Sequence, residues 1–319
     1  MAFSPTEMTH ALDGVAAFFR SRQTRAGVVA RRLLGASAPG DDRLSLQLIN
    51  ERRRRTRMDG GVGGWVAATT FSAWELIQLG CMPDHTGLSR MLGYILDRQD
   101  KPGRFGEGCS ERRHAIGHCH HFIGGFFSPG SKDKIVAPLA LPSSAVFTEE
   151  WDARFAGSCF ALRTALQARQ ERREPVMRHL QSLVYLAGRW ERQEFPVAPD
   201  LALTAMASVA AAPLPHREHA ERMAERIVAD QRPDGTWEKA TTLHALDSLL
   251  TLTSKNARDA VERSTKAILP EQRPDGSFDD HGNEEKTLIA LRAIWSLGIR
   301  RATPRPPRLS PAAISVRHR

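Results

Sequence analysis

Asp230-Gln-Arg-Pro-Asp-Gly-Thr-Trp237 and Glu271-Gln-Arg-Pro-Asp-Gly-Ser-Phe278 are two near-identical copies of one segment, 41 residues apart. In each, Pro-Asp-Gly is a tight turn whose glycine supplies the positive φ, with an aromatic residue two positions later. A third copy reads Arg98-Gln-Asp-Lys-Pro-Gly-Arg-Phe105. Looser relatives are Gly61-Val-Gly-Gly-Trp65, the surroundings of Phe147, and Leu186-Ala-Gly-Arg-Trp190. The aromatic residues Trp65, Phe105, Phe147, Trp190, Trp237 and Phe278 are then 40, 42, 43, 47 and 41 residues apart. A repeat of that length holds two helices and two turns.

Around the turns the two helices differ in polarity. An amphipathic stretch such as 219–230 or 257–269 leads into the turn, and a more apolar one follows it. The apolar members are expected over 66–80, 112–127, 150–168, 200–212, 240–252 and 285–298. A helix that is apolar all round is enclosed, and one with a charged face lies outside. Six enclosed helices ringed by outer ones predict an all-α, (α/α)6 toroid of six helical hairpins around a central funnel. The expected organisation is one domain over 1–300, with repeats around 60–299, and a basic, Pro-rich tail over 301–319. Residues 5–33 are expected to supply a helix that closes the ring, and the Pro-, Gly- and Ser-rich 128–144 a loop in place of the third outer helix.

The stretch Arg90-Met-Leu-Gly-Tyr94-Ile-Leu-Asp-Arg-Gln99-Asp-Lys-Pro-Gly103-Arg-Phe105 resembles the QW motif of squalene–hopene-type cyclases and the repeat of protein prenyltransferase β subunits. The resemblance implies a terpenoid cyclase or prenyltransferase scaffold with QW-type turns, holding an isoprenoid or other apolar substrate in its funnel. It further implies acid-initiated cyclisation or isomerisation by an Asp at the start of an inner helix. The nearest segment, Val197-Ala-Pro-Asp200-Leu-Ala-Leu-Thr204, keeps Asp200 in that register and has Pro199 at the acid's place. In the zinc-binding register of the β subunits, His114 stands at the Asp position and Ile116 at the Cys position.

Other residues point to chemistry directly. On a helix, His114, His118 and His121 fall at i, i+4 and i+7, on one face, where they could hold Zn²⁺ or another transition ion with an open position. This supports an alternative, a metal-dependent enzyme on a non-terpenoid substrate; a non-catalytic binding toroid is the other. Asp200, Asp247, His244 and Glu285 are the candidates for proton transfer, because each falls on an inner helix. Trp74, Phe122, Trp151 and Phe155 are the candidate substrate-binding rings, since π faces stabilise carbocations. Asp279, Asp280, Glu284 and Glu285 form an acidic stretch that suits Mg²⁺ if the substrate is a diphosphate. Arg163 and Arg292 recur in matching contexts, Phe-Ala-Leu-Arg163 and Ile-Ala-Leu-Arg292, and an arginine on an enclosed helix requires a carboxylate or a ligand anion.

The formal net charge is +9. Much of the excess is local, in Glu51-Arg-Arg-Arg-Arg-Thr-Arg57 and the tail, which suits peripheral contact with an anionic membrane rather than a specific nucleic acid. No apolar run reaches the roughly 20 residues of a membrane span. The N-terminus lacks the basic flank of a signal peptide, and Cys81, Cys109, Cys119 and Cys159 form no CxxC pair, so a cytoplasmic protein with reduced thiols is expected.

Overall fold

The computed structural model describes residues 5–99, 125–131, 134–191, 197–278 and 282–298. These contain twelve α-helices, which pair in chain order. The odd-numbered members are α1 (Pro5–Phe19), α3 (Asp41–Arg55), α5 (Thr86–Leu96), α7 (Glu174–Glu191), α9 (Arg217–Ala229) and α11 (Lys255–Ile268). The even-numbered ones are α2 (Arg25–Leu33), α4 (Val66–Gln78), α6 (Glu150–Gln167), α8 (Pro199–Ala210), α10 (Thr242–Leu249) and α12 (Glu284–Gly298). Each even helix packs against the next, from α2 through α4, α6, α8 and α10 to α12, and α12 packs back on α2. The odd helices lie outside this inner ring; α1, for example, rests on α12 and α2. The fold is the all-α toroid of six helical hairpins that the periodicity predicts.

The polarity of each helix explains its place. From Ala153 to Leu166, α6 is buried at every position except Arg163, and α8 is buried from Leu203 to Ala210. In contrast, α9 and α11 bury one stripe, Ala220, Met223, Ala224 and Ile227 in one and Ala257, Ala260, Val261, Ser264 and Ile268 in the other.

The turns bind neighbouring hairpins together. Gln231 Nε2 donates to Gly235 O (3.0 Å), and across to Ala260 O (3.1 Å) and Ser264 Oγ (2.8 Å) on α11. Gln272 Nε2 repeats this, donating to Gly276 O (3.2 Å) and to Ala11 O (3.0 Å) on α1. The glycines are obligatory for two reasons: both have positive φ (91° and 87°), and both touch the next outer helix. A Cβ at Gly235 would fall 2.4 Å from Arg263 O, and one at Gly276 would fall 2.0 Å from Gly14 O. The last turn thus closes the ring on the first helix.

Four of the aromatic assignments require correction; Phe105 itself lies outside the described residues. The third turn is split: Gln99 Nε2 donates to Gly125 O (2.5 Å) and Pro175 O (2.6 Å), and Gln99 bridges Phe127. Gly125 (φ 87°) therefore occupies the glycine position and Phe127 the aromatic one. Of the expected inner helix 112–127, residues 112–124 lie outside the described residues. Its terminal residues 125–127 belong to the turn, α4 packs directly on α6, and α2 takes the sixth inner place. In the first turn Arg57 N donates to Gly61 O (2.9 Å), as Arg232 N does to Thr236 O (2.8 Å), so Gly60 and Val62 match Gly235 and Trp237. Trp65 instead precedes α4, and Trp190 lies within α7. Phe147 lies in a short antiparallel ladder, β1 (Leu139–Ala140) with β2 (Val146–Phe147).

That ladder begins in the expected loop 128–144 and is firmly rooted. Glu150 Oε2 accepts from Val136 N (2.8 Å) and Ala137 N (2.9 Å), while Arg154 donates to Gly130 O, Ser131 O and Lys134 O at 2.7–3.2 Å. Burial raises the Glu150 carboxyl, but those two N–H groups and Arg154 hold it below the usual carboxylate range.

Candidate active site

The inner helices enclose a cavity of about 190 Å³ at the centre of the ring. This is small beside the roughly 300–1,000 Å³ of common ligand pockets. The reason is the β1–β2 hairpin. From its root on α6 it reaches past α8 to α10, and its tip, Leu141, Pro142 and Ser143, forms one wall of the cavity.

His244 holds this tip. Its Nδ1 is 2.7 Å from Ser143 Oγ, and its Nε2 lies 3.1 Å from Asp200 O and 3.0 Å from Thr204 Oγ1. A carbonyl oxygen only accepts, which assigns the proton to Nε2 and leaves Nδ1 to accept from the Ser143 hydroxyl. Burial lowers the His244 pKa, against the raising influence of Asp200 and Asp247, so the ring is neutral around pH 7.

Opposite the hairpin is a chain of charges. Asp247 Oδ2 accepts from Arg163 Nη1 (2.9 Å), and Asp247 Oδ1 is 3.7 Å from Arg292 Nη1. Gln78 Oε1 accepts from Arg292 Nη2 (3.3 Å) and from Arg25 Nη1 (2.6 Å). Arg25 is in turn ion-paired with Glu285, lies 4.0 Å from Glu75, and covers the Trp74 ring at 4.4 Å. Burial lowers the Arg25 pKa to about 10, partly countered by Glu75, so it remains a cation. Burial raises the Asp247 pKa, yet Arg163 and Arg292 outweigh it and hold the carboxyl below the usual range. Asp247 is an anion fixed between two guanidiniums.

The apolar wall is Trp74 and Phe160, with ring centroids 5.9 Å apart, and Phe71 lies 5.3 Å from Phe160.

Of the residues singled out in the sequence, His244, Asp247, Glu285 and Trp74 line the cavity together. Asp200 does not. Its carboxylate accepts from Thr241 N (3.0 Å) and Thr241 Oγ1 (3.1 Å), capping the start of α10. Trp151 and Phe155 also lie elsewhere: they stack at 5.4 Å, and Phe155 packs on Phe126 and Trp190 between α6 and α7, away from the cavity. His114, His118, His121, Phe122, Asp279 and Asp280 lie outside the described residues. Among the described residues no group of three or more His, Cys, Asp or Glu is placed to hold a metal ion, and no helix is long and apolar enough to cross a membrane.

Arg163 and Arg292 are where their repeated context led one to expect an anion, and Asp247 is that anion in part. Gln78, Arg25 and Ser143 were not legible. Arg25 belongs to a helix outside the repeat pattern, and Ser143 enters the cavity only because a connecting segment folds inward.

A ring of paired helices with a site at its centre defines a terpenoid-cyclase-like fold, and comparison with solved structures agrees. One similar structure is a variant of the type II terpene cyclase MstE from Scytonema, in complex with its substrate geranylgeranyl dihydroxybenzoate. It superposes with a TM-score of 0.57 at 13% identity, over 91% of this chain and 97% of the cyclase chain. A second, a ligand-free variant of the same cyclase, gives 0.55 at 12% identity over 91% and 96%. No family model and no curated protein matches the sequence.

Proposed function

We propose that this protein is a terpenoid-cyclase-like enzyme that takes an isoprenoid-type apolar molecule into the central cavity and cyclises or isomerises it by proton transfer. The observation that carries this reading is the division of the cavity between an aromatic wall, Trp74 and Phe160, and a charged one. The rings can face a carbocation that bulk water would quench. The likeness of fold to a cyclase solved with a prenylated substrate supports the same reading.

The two lining carboxylates differ in their fitness as acids. Protonating Asp247 would leave Arg163 and Arg292 facing each other without a counter-ion. Protonating Glu285 leaves Arg25 with Glu75 at 4.0 Å and with Gln78. Glu285 is therefore the group that gives a proton to a substrate alkene, and neutral His244 takes up the proton released when the cation closes to a new alkene. The proton count balances, and the product is an isomer of the substrate. The hairpin tip must move aside to admit a chain longer than about 190 Å³ allows.

The test is incubation with geranyl, farnesyl and geranylgeranyl alcohols, acids and diphosphates, with products resolved by mass spectrometry. General acid catalysis contributes roughly 10²–10⁴-fold, so Glu285→Gln should lose about that factor while Glu285→Asp retains part. Full turnover by Glu285→Gln refutes the acid assignment. Failure of every isoprenoid to bind refutes the enzyme reading.

A further inference from the structure

We infer that the Arg163–Arg292 side of the cavity is a binding subsite for an oxyanion, a carboxylate or phosphate carried on the apolar substrate. This deepens the preceding reading and rests on it for the apolar part of the ligand. Each guanidinium has five N–H donors in a fixed plane. The hydrogen bonds of the described residues use one on Arg163, to Asp247, and one on Arg292, to Gln78. Arg163 Nε is buried with no partner among the described residues, and an unsatisfied buried donor is destabilising. The Arg292 side chain is still 30% exposed with both its carboxylate and its amide partner in place.

Charge leads to the same conclusion. The connected network joins Arg25, Arg52, Arg163 and Arg292 to Asp247, Glu285 and Glu75. Four guanidiniums share three carboxylates, and the uncompensated cation is on the Arg163–Arg292 side, where Asp247 alone serves two partners. A monoanionic head placed against the Arg163–Arg292 pair neutralises the cation that Asp247 leaves there, in either protonation state of Glu285. A planar carboxylate or a phosphate oxygen pair matches the guanidinium fork. The body of such a ligand then lies toward Trp74 and Phe160, across the cavity.

The experiment is calorimetric titration of the full chain with geranic acid, geranyl monophosphate and neutral geraniol, and with benzoate and inorganic phosphate. The acid or monophosphate should bind at least about tenfold tighter than geraniol, and whichever of the two binds tighter identifies the head group. Arg163→Lys retains a cation for Asp247, and so the fold, but removes the Nε–H and the fork; it should reduce the acid-to-alcohol preference to about threefold or less. Circular dichroism confirms folding, and Arg292→Lys provides the second variant if the first unfolds. Equal affinity for geraniol and the two anions overturns the subsite while leaving the isoprenoid reading intact. Binding of benzoate or phosphate without any prenyl compound upholds the subsite and removes the isoprenoid reading. Binding of no probe overturns both.

Discussion

Replacing His179 with phenylalanine should make the protein more resistant to mild acid. His179 is fully buried in α7, its ring 4.4 Å from that of Phe126 and 4.9 Å from that of Phe127 at the split turn. Neither ring nitrogen has a hydrogen-bond partner among the described residues. Burial alone lowers the pKa from 6.5 to about 3. Between those values the unfolded chain takes up a proton that the native chain refuses, so stability rises with pH in that window. The contribution is complete above pH 6.5 and is lost as the pH falls toward 3. At pH 5 the unfolded imidazole lies about 1.5 pH units below its own pKa, and at about 1.4 kcal/mol per unit the native state has lost about 2 kcal/mol. That figure does not depend on the native value so long as it is well below 5. The assay is urea unfolding followed by circular dichroism at pH 8 and pH 5. Wild type should lose about 2 kcal/mol more than His179→Phe between the two, because surface carboxylates and His244 titrate alike in both proteins. Equal losses, or a greater loss in the variant, would refute the buried, neutral imidazole and with it the packing of α7 against the split turn.

Two further outcomes test the architecture. Gly276→Ala places a Cβ 2.0 Å from Gly14 O and in a disfavoured φ; it should cost about 3 kcal/mol or more, from strain and separation of α1 from the last turn, and an unchanged urea midpoint would show that the ring is not closed there. Replacing residues 100–124 by Arg-Pro-Asp rebuilds between Gln99 and Gly125 the spacing found between Gln231 and Gly235; cooperative unfolding should persist, and its loss would show that Gln99 and Gly125 do not form one turn.

How much of this was legible depended on the range of the interactions. The turns at Gln231–Trp237 and Gln272–Phe278 were readable because glutamine, glycine and aromatic residue all act within seven residues, and the apolar inner helices because burial on every side removes charge from every face. The third turn misled. Gly103-Arg-Phe105 and Gly125-Phe-Phe127 both place an aromatic two residues after a glycine, and only the approach of the glycine to α7 decides between them. Trp65 and Trp190 likewise satisfy the spacing without sitting in the turn.

The site divides in the same way. Sequence by itself determined the toroid, five of the six inner helices and the paired arginines, since each follows from a local pattern or from the rule that an enclosed charge needs a partner. Tertiary structure decided which helix of residues 5–33 completes the ring, that the β1–β2 hairpin closes the funnel on His244, and that Asp200 caps a helix while Asp247 stays ionised between Arg163 and Arg292. Those outcomes depend on which groups meet across the ring, 41 to 214 residues apart in the chain, and on the low dielectric there, which makes the presence or absence of one counter-ion decide a carboxylate's role.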